Sequence, residues 1–432
     1  MSTLLTQRWL LSRRHFLRGL GATVALPLVA RNSFAASEAE GKLILKSKVI
    51  LKETSPLMHA SYLTKTGLEM VKIEGYSPDN GQTWTRLPPT PDFEKDLPYG
   101  YRRDSFPLFV DHSNGKILRI VASMDTPGLD PNIVEPPVSM ETYYLRYRVS
   151  VDGGKTYLFD EQIIQKGHTA QNPFDNVHVG KNGVQPGDVA SQVIRTPQGR
   201  ILVPAQASKL GPDGTPARLS GGVTSDTDII IVIGKWRKDN RLDWEISQPI
   251  EADPARSTRG MIEPTLAEMP DGRLLCVMRG SNGGKKDPDY QLPSYKWYSV
   301  SKDGGYHWAK PAPWTYDDGS PFYSPSSMSD LLRHSSGRYF WIGNISPTNC
   351  RGNNPRHPLV IGEVNRKSFL LIKDSLLEVD TKQANETDVN LSHFWAIEDR
   401  ANGDIVIPGT RYDLGYKSSQ AVFYRIGFAV SR

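Results

Sequence analysis

Ser77-Pro-Asp79-Asn-Gly81-Gln-Thr-Trp84, Ser150-Val-Asp152-Gly-Gly154-Lys-Thr-Tyr157 and Ser301-Lys-Asp303-Gly-Gly305-Tyr-His-Trp308 are three copies of one pattern, Ser-x-Asp-x-Gly-x-x-aromatic. An apolar or aromatic run leads into each Ser. The pattern describes a tight turn between antiparallel strands. Its Asp accepts hydrogen bonds from backbone N–H groups ahead of it, its Gly takes a positive φ, and its aromatic side chain plugs the space beneath. One copy would be an ordinary Asp-Gly hairpin. Three full-length copies mark a repeated hairpin module.

A second periodicity surrounds the first. Turns at Gly115, Gly199, Gly272, Gly337 and Gly403 each lead into an apolar strand, as in Gly272-Arg-Leu-Leu-Cys-Val-Met-Arg279. A short apolar run precedes each turn, so each is a β-hairpin. Successive glycines stand 84, 73, 65 and 66 residues apart, and Gly67 marks a sixth hairpin 48 residues before the first. Around Gly115 and Gly272 the hairpin is followed by a third strand, the Ser-x-Asp-x-Gly turn and a fourth strand. Four antiparallel strands per ~66 residues, repeated about six times, is the signature of a β-propeller. No sustained helical period occurs after the first 35 residues, and 32 Pro with 37 Gly suit many turns.

The amino terminus has a separate purpose. Ser12-Arg13-Arg14-His-Phe-Leu-Arg18 precedes the apolar run from Gly19 to Ala30, and Ser33-Phe34-Ala35 offers a small-x-small cleavage site. These features predict a twin-arginine export signal over 1–35 and a single propeller domain over 36–432. The apolar run is short of the roughly 20 residues that span a bilayer. The mature form is therefore expected to be periplasmic or extracellular, without a membrane segment. The formal charge of +5 includes Arg8, Arg13, Arg14, Arg18 and Arg31 of the signal, so the mature chain is neutral overall. Nothing in that balance supports nucleic-acid binding. Cys276 lies in an apolar strand run and reads as core rather than as a disulfide partner of Cys350.

The three turns resemble the Asp-boxes of the sialidase (neuraminidase) superfamily, also called BNR repeats. That resemblance implies an all-β, six-bladed β-propeller of sialidase type, with Asp-boxes between the third and fourth strands of some blades, away from substrate. The segment Glu263-Pro-Thr-Leu-Ala-Glu-Met-Pro-Asp271-Gly-Arg-Leu-Leu-Cys-Val-Met-Arg279 is similar to a sialidase stretch in which a Glu activates the nucleophile and an Arg binds the substrate carboxylate. Counting from the turn supports the placement independently. Glu263 and Arg279 each lie eight residues from Asp271 and face one another at the open end of the hairpin. A purely structural cross-strand ion pair has the same spacing.

The same counting sets His393 opposite Arg411 with Tyr412 next along, Asp188 at the same rim, and Arg103 there too. Arg356 opens the strand that follows the Gly337 hairpin and resembles a further carboxylate-binding Arg of the family. Guanidinium groups pair with a carboxylate through two parallel charge-assisted bonds, which suits a sialic or uronic acid. The substrate-binding candidates are accordingly Arg279, Arg356, Arg103 and Arg411. The catalytic candidates are Glu263, Tyr412, Tyr323, His393 and Asp188. The family's Tyr-Ser nucleophile pair is replaced by Leu391-Ser392, which leaves Tyr412 or Tyr323 as the substitute. Its Arg-Ile-Pro signature survives only as Arg103-Asp-Ser-Phe-Pro107.

Three functions fit this set. One is an exported sialidase-like hydrolase of acidic glycans. The second is a polysaccharide lyase, in which Arg neutralises a uronate and Tyr or His removes the C5 proton. The third is a non-catalytic glycan-binding propeller. The expected partner is an acidic oligosaccharide or polysaccharide, and the expected state is monomeric. No cofactor is indicated, and the spacing of His168 and His178 does not make a metal site.

Overall fold

Each Gly turn closes a hairpin, and each hairpin is the inner half of a four-stranded antiparallel sheet. The structure, a computed structural model, describes residues 41–51, 59–89, 102–124, 143–217, 226–413 and 418–429, with the backbone alone at 102–107. Residues 1–35, where the export signal is expected, lie outside this set. The strands form six sheets, the blades of an all-β six-bladed propeller.

The first blade comprises Ala60–Tyr62, Met70–Lys72, Gly75–Ser77 and Thr85–Arg86. The second comprises Arg102–Asp111, Lys116–Met124, Tyr143–Ser150 and Asp160–Gln162. In the third, Val184–Pro186 and Ile194–Arg195 share the inner edge of Arg200–Ser208, followed by Thr227–Trp236 and Leu242–Ile246. The fourth runs Ile262–Glu268, Leu274–Arg279, Lys296–Ser301 and Ala312–Pro313. The fifth runs Asp330–Arg333, Tyr339–Asn344, Leu359–Glu363 and Leu377–Asp380.

The sixth blade is assembled from both ends of the chain. Its inner edge is split into Asn390–Ser392 and Ile397–Asp399, followed by Asp404–Tyr412 and Ser419–Phe428. The outermost strand is Leu43–Ile50, which pairs antiparallel with the last strand from Leu43↔Phe428 to Ile50↔Val422. Sequence reading assigned this segment no strand. Lys46 and Lys48 fasten it further, through Asp404 at 2.6 Å and Asp380 at 2.7 Å. The ring is thereby closed by hydrogen bonds between the first and last strands described.

Adjoining blades share apolar clusters, which is where the core lies. Val71 meets Leu108 and Ile117 between blades one and two, and Leu118 and Tyr147 meet Ile201 and Val232 between two and three. Ile231 with Cys276, Val277 with Trp341, and Ile342 with Ile405 continue the series. Trp395 packs on Tyr62 and Met70 to join six to one. Full burial of one such side chain is worth about 1.5–3 kcal/mol, and no blade buries its faces alone. Cys276 and Cys350 are both buried free thiols.

All three Ser-x-Asp-x-Gly turns connect third and fourth strands. In the second blade, Thr156 N–H donates to Asp152 at 2.9 Å and the Thr156 hydroxyl does so at 2.6 Å. The Ser is as important as the Asp. Ser150 Oγ accepts Gly154 N–H at 2.9 Å while donating to Asp152 at 2.8 Å, and the same two bonds recur at Ser77 and Ser301. Trp84 and Trp308 close the turn from below by donating to the carbonyls of Gly81 and Gly305.

What positions the site is a set of interruptions in the innermost strands. The third blade breaks between Pro186 and Ile194, the fourth carries a bulge between Ile262 and Thr265, and the sixth breaks between Ser392 and Ile397. Asp188, Glu263 and His393 occupy these breaks. Glu263 and His393 have φ of 51° and 52°, a left-handed backbone that costs a non-Gly residue roughly 1–3 kcal/mol. The sixth-blade break also corrects a register expected from the sequence. Arg411 pairs with Leu391 rather than with His393, because the turn centres half a residue before Asn402 and the inner strand holds one extra residue above Ile397.

Candidate active site

The bulge in the fourth blade turns Glu263 toward Arg279, although Arg279's ladder partner is Ile262. Arg279 Nη1 donates to Glu263 Oε1, and the Glu263 backbone N–H donates to Gln206 Oε1 of the third blade at 2.8 Å. Glu263 Oε2 is buried and accepts no hydrogen bond from the described residues. Burial would raise the pKa of this carboxyl, but Arg279, then Arg356 and Lys296, outweigh it and bring it down to about 2. Glu263 is thus a fixed anion at neutral pH, held by the groups best suited to bind another.

Arg279 has two further partners, Ser326 Oγ at 2.7 Å and Asn353 Oδ1 at 3.0 Å. Arg356 comes to the same place from the fifth blade, with Nε on the Asn353 carbonyl at 3.3 Å and Nη2 on the Ser326 carbonyl at 3.5 Å. Its Nη1 donates to Tyr412 Oη at 3.0 Å and to Ser392 Oγ at 3.3 Å. Both guanidinium groups are buried, at 7% and 8% exposure. Buried guanidinium groups need an anion near them, and Glu263 supplies one to Arg279.

Beyond Tyr412 the arc continues. The His393 ring lies 5.5 Å from the Tyr412 ring, and His393 Nε2 is 3.9 Å from Asp188 Oδ2. Asp188 returns the arc to its start, since a Cβ on neighbouring Gly187 would stand 3.0 Å from the Glu263 Cα and 1.9 Å from Ser191 Oγ. Only a glycine lets those two breaks approach so closely. The structure therefore gathers Glu263, Arg279, Arg356, Tyr412, His393 and Asp188 around one end of the propeller axis. The rest of the set, Lys296, Asn353, Ser326, Ser392 and Gln206, escaped sequence reading. Lys296 alone carried a usable signal there, because extending the register to the third strand places it across from Arg279.

The family model of the BNR repeat-like domain matches residues 108–380, from the second blade through the end of the fifth. The chain belongs to this BNR repeat family. No curated protein matches its sequence. The fold of this BNR repeat protein is shared with a protein of unknown function from Dyadobacter fermentans, at 14% identity over 90% of this chain and 100% of that one, with a TM-score of 0.56. An intramolecular trans-sialidase from Ruminococcus gnavus is similar at 13% identity over 93% and 98%, with a TM-score of 0.51. An α-L-arabinofuranosidase from Fusarium graminearum follows at 12% identity over 89% and 98%, with a TM-score of 0.50.

Two expected site residues of the BNR repeat protein have other partners. Arg411 is turned outward to Asp380 at 2.8 Å, Glu386 and the Thr381 carbonyl, where Tyr424 also donates to Asp380 at 2.7 Å. This network fixes the end of the closing blade. Tyr323 stacks on Tyr295 with ring centroids 6.2 Å apart and 3° between planes, and it lines a 550 Å³ cavity with Phe322, Pro358 and Glu378. Arg103 pairs with Ser123 in the second blade's ladder, and its side chain lies outside the described set.

Proposed function

We propose that the protein is a sialidase-like glycoside hydrolase that removes an acidic sugar from the end of a glycan. The observation that carries this reading is the convergence of two buried guanidinium groups, a carboxylate and a Tyr hydroxyl, with Tyr412 Oη bound directly to Arg356. Arg279 and Arg356 hold the substrate carboxylate. Tyr412 attacks the anomeric carbon, its developing phenolate stabilised by Arg356, and Glu263 Oε2 takes its proton. His393, oriented by Asp188, protonates the departing oxygen, and water then releases the sugar from Tyr412. A neutral nucleophile suits an anionic substrate, because a carboxylate nucleophile would be repelled by it.

Glu263 is a weak base while its pKa stays near 2. The incoming carboxylate corrects this by neutralising the same guanidinium groups, which raises the Glu263 pKa only when substrate is present. Arg13-Arg14 and the apolar run behind them support export by the twin-arginine route to the periplasm or beyond. The sugar chemistry in the names of the trans-sialidase and arabinofuranosidase neighbours agrees with a glycan substrate.

A second reading, β-elimination of a uronate, is favoured by one observation, the contact of the His393 and Tyr412 rings beside Arg356. Product analysis separates the two. Purified protein is incubated with a 4-methylumbelliferyl sialoside and with an oligouronate. Release of free sialic acid and fluorophore is expected. An unsaturated uronate product, seen by its ultraviolet absorbance, would replace hydrolysis by elimination, and neither product would leave a binding propeller.

A further inference from the structure

Lys296 is a buried cation that the proposed chemistry leaves unused. It opens the third strand of the fourth blade directly across from Arg279, and none of it is exposed (0%). Its ammonium donates to the backbone carbonyl of Ser327. Ser327 adjoins Ser326, whose hydroxyl accepts Arg279 and whose carbonyl accepts Arg356. One dipeptide therefore fastens all three cations, and Lys296 sets the position of the segment that spaces the two guanidinium groups.

The charge around Lys296 is unusual for a buried lysine. The groups that bear on it are Arg279 and Glu263 from its own blade, and Arg356 and Cys350 from the fifth. Of these only Glu263 is a carboxylate, and it is already taken by Arg279. Burial first, then Arg279 and Arg356, push the Lys296 pKa down to about 7, with Glu263 and Cys350 pulling against them. Among the described residues, Lys296 joins Arg279 and Arg356 on the cationic side of the site, opposite the carboxylates of Glu263 and Asp188.

We propose that Lys296 is the charge-setting residue of the acidic-sugar site: protonated, it adds a positive charge beside the two guanidinium groups that meet an incoming carboxylate, and deprotonated, it withdraws that charge. The inference rests on the acidic-sugar reading above. Anion binding should therefore weaken as pH rises through the Lys296 transition, because the charge lost is a positive one. A neutral sugar should show no such dependence.

Calorimetric titration of N-acetylneuraminic acid into the full chain at about pH 6 and about pH 9 tests this, with N-acetylglucosamine as the neutral control. Wild type is expected to bind the acid roughly tenfold or more weakly at the higher pH. Lys296→Gln keeps a donor for the Ser327 carbonyl without the charge, and should bind weakly at both values. Lys296→Arg stays charged throughout and should bind equally at both. Wild-type affinity that does not change with pH, or a Lys296→Gln profile that follows wild type, overturns the role of Lys296 alone. Failure of wild type to bind the acid at either pH overturns the acidic-sugar reading and this inference with it.

Discussion

Tyr412→Phe is expected to lower kcat on an acidic aryl glycoside by about three to four orders of magnitude while KM changes less than about tenfold. The substitution deletes one oxygen, and that oxygen is the proposed nucleophile. Arg279 and Arg356 remain to hold the substrate carboxylate, so ground-state binding persists. The fold should tolerate the change, because the Tyr412 ring is buried at 2% exposure and phenylalanine fills the same space. Arg356 loses one acceptor but keeps Ser392 Oγ and the carbonyls of Asn353 and Ser326. A kcat within tenfold of wild type would remove Tyr412 from the chemistry. A large rise in KM at constant kcat would make it a binding residue instead.

Arg279→Leu and Arg356→Leu are expected each to reduce kcat/KM on the acidic substrate by about 10²–10³-fold. Removal of one partner from a buried charged pair is worth about 3–5 kcal/mol, since the other charge is left uncompensated. For Arg279 the stranded charge is Glu263. Its pKa is low chiefly because Arg279 overcomes the effect of burial, so the Leu variant should carry a raised Glu263 pKa. The sign follows directly. A carboxyl with a higher pKa loses its charge earlier as pH falls, so the acid limb of kcat/KM should move to higher pH in Arg279→Leu and stay near the wild-type position in Tyr412→Phe. Stability carries the same linkage: Glu263's contribution is full above its unfolded pKa near 4.3 and declines as pH falls toward about 2. If the Arg variants lose activity equally on a neutral arabinofuranoside and on an acidic glycoside, the guanidinium groups are not binding a carboxylate.

The architecture was legible because its determinants are local. A Ser-x-Asp-x-Gly turn closes on itself through contacts no more than four residues apart, as Ser77 Oγ to Gly81 N–H shows. The Gly turns likewise mark their own hairpins, and the spacing between them counts the blades. The strand Leu43–Ile50 was not legible, because it pairs with residues almost 400 positions away and its exposed Ile44, Leu45, Val49 and Ile50 break the usual alternation.

Site residues divide along the same line. Glu263 and Arg279 share a hairpin, and counting from Asp271 put them together despite the bulge. Arg411 was placed by the same arithmetic and does not join them, because symmetric counting ignores an extra residue in an interrupted strand. That interruption shapes the candidate site: it lifts His393 out of the ladder toward Asp188 and Tyr412. Tyr323 shows the limit of residue type as a guide. Its position on the loop between the fourth and fifth blades turns it to Tyr295 and to a cavity lined by Phe322. Asn353, Ser326 and Gln206 carry no chemical signature at all, and their roles exist only once the blades have brought them against the guanidinium groups.

The most direct test of the central claim is a crystal structure of Tyr412→Phe soaked with a sialoside. The account predicts the sugar carboxylate between Arg279 and Arg356, its anomeric carbon facing the ring edge of residue 412 and its glycosidic oxygen facing His393. A sugar bound elsewhere on the propeller, or with its carboxylate turned away from both guanidinium groups, would contradict it.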